Sequence, residues 1–236
     1  MSDGLGRDSS RPYVFINVAA SADGKIDTFE RRGAAISSAA DKARVDELRA
    51  SADAVMVGGR TLLEEDPRLT VKSSKRRAER VARGLPENPM KVAIVSRATL
   101  NLKGDFVCAG PARRVLFTTK QTTAQQAQGL TALGIEVYII GEKRVDLVRA
   151  LEVLKDLGVE RLMVEGGGTL NFALLRLGLV DELMVYVAPL IFGGDSAPTA
   201  VGGDGLSRSA AIPLKLANVQ VVDEAGGLLI RYLLPR

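Results

Sequence analysis

The chain has 236 residues, 46% of them apolar, and a formal net charge of +4. That is length enough for one large α/β domain or two small ones with a full core, and no apolar run reaches the roughly 18 residues that span a bilayer. There is no histidine and a single cysteine, Cys108, which excludes an internal disulfide, a cysteine-based zinc site, a histidine-based triad and zinc deaminase chemistry. Any proton transfer must rest on Asp, Glu, Lys, Tyr, Cys or water. The modest positive charge suits an anionic small ligand and does not by itself argue for nucleic acid.

Residues 1–11 are polar and Gly/Ser-rich, with no apolar stretch of the kind a signal peptide carries, so a disordered tail and a cytoplasmic location are expected. Residues 12–236 contain no linker and no repeat and read as a single domain. Residues 11–20 pattern as a strand, and Asp23-Gly24 as a turn. A helix is expected from Ser38, which can cap it, with Ala43, Val45, Leu48 and Ala52 as its apolar stripe. Arg49 near its end fits a cation on the C-terminal dipole. Residues 54–57 form a short buried strand that stops at Gly58-Gly59 and leaves Thr61 at its carboxyl end. Residues 72–84 carry Lys72, Lys75, Arg76, Arg77, Arg80 and Arg83. Without interleaved aromatics, such a run reads as a solvated loop or helix face. Further strands are expected at 91–96, 114–118, 135–140 and 161–164, with helices at 122–133 and from Leu147 to Gly158.

The stretch that organises the rest is Glu165-Gly166-Gly167-Gly168-Thr169-Leu170-Asn171. It joins the strand at 161–164 to a helix that stops at Gly178. Strand, three glycines and helix let backbone N–H groups approach a phosphate closely; the same glycines also suit a plain tight turn. The spacing matches neither G-x-G-x-x-G nor G-x-x-x-x-G-K-[ST]. A strand at 182–188 follows, then a long Gly/Ser/Pro loop to about residue 213, and strands at 214–222 and 227–234 that pair as a hairpin. The order predicts an α/β class with a mostly parallel sheet and antiparallel strands at one edge.

Taken together, Ser21-Ala22-Asp23-Gly24-Lys25, Met56-Val57-Gly58, Asp66-Pro67-Arg68-Leu69-Thr70, the 165–171 stretch, Gly178-Leu179-Val180-Asp181-Glu182 and Ile191-Phe192-Gly193-Gly194 resemble the riboflavin-biosynthesis reductase family. The nearest branch is the stand-alone archaeal and fungal 2,5-diamino-6-ribosylamino-4(3H)-pyrimidinone 5′-phosphate reductases, and the likeness runs from about residue 12 to 234. It implies a dihydrofolate-reductase-like fold and a homodimer. It further implies NADPH, with NADH as the alternative, and reduction of a ribosylamino sugar phosphate to the ribitylamino form. It places cofactor contacts on Ala19, Thr61, Glu65, Ser96, Gly166, Gly167, Gly168, Thr169, Leu170 and Asn171. Substrate contacts fall on Arg49, Leu69, Lys72 and Glu165, with Asp23 and Lys25 nearby; Arg49 and Lys72 are suited to a 5′-phosphate. Glu65 stands where relatives often have Asp, and residues 73–86 are longer and more basic than usual.

Hydride addition at C1′ of the ring-opened imine needs a proton. Glu165, with a pKa raised by apolar surroundings, is the first candidate donor and Asp23 the second. No metal, nucleic-acid or membrane partner is expected. The alternatives are a reductase of the deaminated pyrimidinedione, a pteridine or dihydrofolate reductase, or a nucleotide-binding module without turnover.

Overall fold

Among the described residues nine strands, labelled along the chain with the ranges given below, form one sheet in the spatial order β5-β4-β3-β2-β6-β1-β7-β9-β8. The computed structural model describes residues 9–235. The chain runs β1 (Tyr13–Ser21), α1 (Ala39–Ser51), β2 (Ala54–Gly58), α2 (Gly59–Glu65), α3 (Ser74–Ala82) and β3 (Met90–Ile94). Next come α4 (Asp105–Cys108), β4 (Arg114–Thr118), α5 (Ala124–Ala132), β5 (Ile135–Ile139) and α6 (Leu147–Asp156). β6 (Arg161–Val164), α7 (Gly168–Arg176), β7 (Glu182–Ala188), β8 (Lys215–Val221) and β9 (Leu228–Leu233) complete it.

The strands from β5 to β7 are all parallel, and the hairpin of β8 and β9 adds antiparallel to β7. This is the mixed, mostly parallel sheet with a C-terminal antiparallel hairpin that the alternation predicts. Both faces are covered, as a parallel sheet requires. On one face Val14, Ile16, Met56, Val92 and Val164 pack against Leu151 and Leu154 of α6 and Leu170, Leu174 and Leu175 of α7. On the other, Phe15, Val55, Val57, Ala93 and Met163 meet Val45 and Leu48 of α1, Leu62 of α2 and Phe106 of α4.

Two short helices are not foreshadowed by periodicity. α2 grows directly out of Gly58-Gly59 for seven residues and ends on Asp66 in the left-handed conformation. α4 is a single turn, and its N-terminus exists because the Asp66 carboxylate accepts the N–H groups of Asp105 and Phe106 at 2.8 and 2.9 Å. The tail expected at 1–11 lies outside the described residues up to position 8. Arg11 is anchored, donating to both carboxylate oxygens of Asp181.

The basic run departs from a purely solvated face. It forms α3, capped by Ser73, and Arg80 is wholly buried. Arg80 donates to the carbonyls of Ala50, Ala52 and Pro86, supplying partners for the open C-terminal carbonyls of α1. Arg76 pairs with Asp46 and Glu47, and Arg77 with Glu87. Much of the positive charge is thus committed to clamping α3 onto α1. Among the described residues no helix is long and apolar enough to cross a membrane, and no cluster of His, Cys, Asp and Glu is placed to hold a metal ion.

Candidate active site

Past the carboxyl ends of β1, β2, β3 and β6 the loops part and leave a cleft, the position at which open parallel sheets receive ligands. It has three connected parts. A groove of about 850 Å³ runs along Gly58, Thr61, Ser96, Gly167, Gly168, Thr169 and Leu170. A small junction cavity of about 190 Å³ is bounded by Asn17, Ala19, Thr61, Glu65, Glu165 and Gly166. Beyond it a third cavity, about 280 Å³, ends among Ser37, Lys42, Arg49 and Lys72. Groove and junction share Ile26, Thr61, Glu65 and Gly167; junction and basic cavity share Ala19, Ile26, Ser37 and Val45.

Glu165 occupies the first position after β6, where its N–H donates to the Met56 carbonyl and fixes the turn. Its side chain is only 14% exposed and lies in the fork of Arg49: Nε to Oε1 at 2.6 Å and Nη2 to Oε2 at 2.7 Å. Arg49 also donates to the Thr70 carbonyl at 3.2 Å. Burial pulls the guanidinium pKa down, but the adjacent Glu165 carboxylate outweighs it and holds Arg49 above its ordinary value. The expected apolar setting for Glu165 is therefore corrected. Both carboxylate oxygens accept from the guanidinium in a two-pronged ion pair. Arg49 sits in the last turn of α1, as expected for a cation on the helix dipole, with most of its fork engaged by Glu165.

Asp23 is corrected too. The Ser21 hydroxyl, helped by the N–H groups of Gly193 and Phe192, holds its carboxyl at about 2 against the opposing pull of desolvation. It ties the turn after β1 to the loop after β7 and stays ionised at neutral pH. Lys25 lies in that same turn. It exchanges backbone bonds with Ser21 and bridges to Thr199, and it lines none of the three cavities. Leu69, with φ of 52°, is wholly buried among the core residues under α1 and α2, so its side chain has no access to a ligand.

The expected cofactor residues divide. Thr61, Glu65, Ser96, Gly167, Gly168, Thr169 and Leu170 line the groove, while Gly166 and Ala19 face the junction. Asn171 borders the junction but is fully buried, and its Nδ2 donates to the Ala200 carbonyl at 2.8 Å, so its visible work is to hold the loop at 199–203. The Gly166-Gly167 peptide is cis. A Cβ on Gly167 would reach Thr61 Oγ1 at 3.1 Å, and one on Gly168 would collide with the Thr199 carbonyl. At the N-terminus of α7, the N–H groups of Gly168 and Thr169 find no acceptor among the described residues. A glycine cradle with free amides on a nine-residue helix fits the diphosphate of a nicotinamide dinucleotide.

Several lining residues escaped the sequence reading. Lys42, exposed on α1, borders the basic cavity with Lys72, and neither ammonium has a partner among the described residues. Arg60 and Arg144 border the groove; Arg60 is loosely paired with Glu64 at 3.9 Å and Arg144 has no side-chain partner among the described residues. Residues 195–199 and 202–203 form the outer wall. Only the length and Gly/Ser content of that loop hinted at a role. Of the cleft carboxyls, Glu65 and Asp195 make no hydrogen bond or ion pair to a described residue, and of these two only Glu65 also borders the junction. Desolvation, then the charges of Asp27, Glu64 and Glu165, push its pKa up.

Comparison with known proteins shows the family and the fold. Residues 12–226 match the family model described as the RibD C-terminal domain. The chain is 42% identical over 202 residues to the 2,5-diamino-6-ribosylamino-4(3H)-pyrimidinone 5′-phosphate reductase of Archaeoglobus fulgidus, covering 86% of this chain and 91% of that one. It is 40% identical over 224 residues to the protein of the same name from Methanothermobacter thermautotrophicus, covering 94% and 98%. Among solved structures, RibD of Acinetobacter baumannii superposes with a TM-score of 0.78 at 26% identity, over 96% of this chain but 58% of that longer protein. A pyrimidine reductase-like protein from Corynebacterium diphtheriae shares the fold, with a TM-score of 0.79 at 21% identity over 98% of this chain and 97% of that one. The chain belongs to the RibD C-terminal domain family and is an oxidoreductase of riboflavin biosynthesis.

Proposed function

We propose that this chain reduces the ribosylamino group of 2,5-diamino-6-ribosylamino-4(3H)-pyrimidinone 5′-phosphate to the ribitylamino form, with NADPH as the reductant. The observation that carries the reading is the continuous cleft, which joins a glycine-and-arginine groove to a lysine-lined cavity through one junction of carboxyl groups. The names of the two archaeal relatives support the substrate. Arg60 and Arg144 supply cations for a 2′-phosphate, which favours NADPH over NADH. Lys42 and Lys72 suit a 5′-phosphate and favour a phosphorylated substrate over an uncharged pteridine.

When bound, NADPH supplies the hydride that adds to C1′ of the substrate's ring-opened imine. The protein's part is to hold the two reactants together and to manage charge. Lys42 and Lys72 anchor the phosphate. Glu165, held in the fork of Arg49, faces the positive charge that the imine gains as it is protonated. Glu65, unpartnered at the junction and raised in pKa, delivers the proton to the imine nitrogen.

The outer strand β8 is exposed along its whole length, including Leu216, Val219 and Val221. An open apolar edge of this kind needs covering, and a second copy of the chain is its proposed cover. Light scattering after size exclusion tests this, and a monomer at micromolar concentration removes it.

The functional test is substrate-dependent loss of NADPH absorbance with the diamino compound, run beside its deaminated and dephosphorylated analogues. Turnover of the phosphorylated diamino compound alone supports the reading. Turnover of only the deaminated analogue moves the step after deamination, and NADPH binding with no turnover of any of them overturns the reductase assignment.

A further inference from the structure

Residues 26–38, between β1 and α1, form neither helix nor strand, yet they wall both ligand spaces. Asp27, Arg31, Gly33 and Ala34 line the glycine groove, and Ala34, Ala35, Ile36 and Ser37 line the basic cavity. Ile26 borders both, and the junction between them as well. The other residues shared by neighbouring parts of the cleft are held in β1, α1, α2 or the cap of α7. Only this irregular segment has to get its shape from elsewhere.

Its ends are anchored. The Ile26 N–H donates to the Pro198 carbonyl at 2.9 Å, and Ile36 is buried against Tyr186 and Ala188. The stretch between has little support of its own. Among the described residues, positions 27–33 make one backbone–backbone hydrogen bond, from the Arg31 N–H to the Thr28 carbonyl, and Phe29 at the tip is 69% exposed. Arg31 reaches out to the Ser196 carbonyl at 2.9 Å. The rest comes from one side chain. Asp27 Oδ1 accepts the N–H groups of Thr28 and Ala34 at 2.7 and 2.8 Å, and Oδ2 accepts that of Gly33 at 2.9 Å. Desolvation works to raise the pKa of this carboxyl, but the three N–H groups and the Arg31 charge outweigh it and hold it below its ordinary value. A carboxylate that gathers three amides closes a turn that no ladder closes.

A segment that borders two ligand spaces serves both in one shape. Were that shape not already held, each ligand would have to impose it, and both would bind more weakly. We infer that Asp27 is a positioning residue for the reduction: its carboxylate preorganises the turn that walls the cofactor groove and the substrate cavity together. This rests on the reading above, in which those spaces take NADPH and the sugar phosphate of the substrate. It has a particular thermodynamic consequence. Ordering the turn is a cost met once, by whichever ligand arrives first, so damage at Asp27 must weaken each ligand alone and fade when the other is present.

The test measures the dissociation constants of NADPH and of ribose 5-phosphate, which carries the anchor without the base, each with and without a saturating amount of the other. Asp27→Ala should weaken each ligand about tenfold on its own and bring each to within about twofold of wild type when the other is bound. Asp27→Asn, which keeps the shape and one acceptor oxygen, should show the same pattern at about threefold. Hydrogen exchange at the Thr28, Gly33 and Ala34 amides reads the turn directly. It should be faster in free Asp27→Ala than in free wild type and slow again with either ligand. An NADPH deficit of equal size with and without ribose 5-phosphate would make Asp27 a direct cofactor contact and overturns the inference. Wild-type affinities for both ligands in Asp27→Ala overturn it too. Binding needs no turnover, so the two readings fail separately. Protein that shows the expected binding pattern but reduces none of the phosphorylated compounds removes the reductase reading and leaves this inference standing.

Discussion

Arg49 and Glu165, 116 positions apart in the chain, meet in a two-pronged ion pair at the mouth of the cleft, each side chain only 14% exposed. The pair links the C-terminal turn of α1 to the end of β6 and occupies both carboxylate oxygens. That changes what Glu165 can do. Both of its oxygens are taken up by the guanidinium, so its proposed service to a reduction is to face a developing cation.

Glu165→Gln keeps the shape and removes the charge. Turnover should fall by about a hundredfold, the scale for losing one preorganised electrostatic contact, with the pH profile keeping its form. Arg49→Ala should instead cost about 3 kcal/mol of stability, because it leaves a largely buried carboxylate without its partner. Steady-state rates across pH and chemical denaturation separate the two effects. A Glu165→Gln enzyme whose alkaline limb has vanished would return Glu165 to the role of acid.

The sheet and most helices were legible because their apolar periods are long: α6 with Leu147, Leu151 and Leu154, or β1 with its run of Val, Phe and Ile. The glycine stretch could be placed at a strand end by the same logic. What sequence could not supply was pairing at a distance. Nothing local in Arg49 says that its partner is Glu165 rather than a phosphate, and nothing in Asp66-Pro67-Arg68-Leu69-Thr70 says that Asp66 caps α4 while Leu69 turns into the core. That Lys42 borders the basic cavity was illegible for a related reason. α1 has a polar face, and periodicity cannot distinguish a cation facing solvent from one facing a cleft.

Asp23 is expected to be structural. Its folded pKa of about 2 lies below the ordinary 3.8, so the stability it contributes is present above pH 4 and disappears as pH falls through 2. Asp23→Asn should leave the shape of the rate profile near neutral pH unchanged. It should speed hydrogen exchange at the Phe192 and Gly193 amides, and raise KM for NADPH on the order of threefold as the outer wall of the groove loosens. Loss of the alkaline limb in this variant would contradict the assignment.

Lys91 gives a stability signature remote from the cleft. It is wholly buried on β3 and donates to the carbonyls of Asp105, Phe106 and Ala109 around α4. Burial lowers its pKa from 10.5 to about 8, with the Arg114 charge acting in the same direction. Between those values the unfolded chain holds more protons than the folded one, so stability contributed at this site rises with pH, by about 3 kcal/mol over the window. Tyr13 runs the other way. Burial and its bond to Glu182 push it from 10.0 to about 12, so its contribution is full below pH 10 and is lost as pH climbs through 12. Denaturation midpoints of wild type minus Lys91→Met should therefore rise from pH 8 to 10, and those of wild type minus Tyr13→Phe should fall above pH 10. A flat Lys91 difference curve would mean that the ammonium is solvated.

Glu65 carries the sharpest kinetic prediction. It borders both the groove and the junction, has no partner among the described residues, and is raised by desolvation and by Asp27, Glu64 and Glu165. A carboxyl whose pKa is raised keeps its proton to higher pH and loses it as pH rises through that pKa, so kcat should fall on the alkaline side. Glu65→Gln should lower kcat by about a hundredfold and flatten that limb, whereas Glu65→Asp, which retains the acid one methylene shorter, should keep the limb at a reduced rate. If Glu65→Gln instead raised KM for NADPH and left kcat and its pH limb intact, the side chain would be a cofactor contact, and the proton would have to come from water entering through the open side of the cleft.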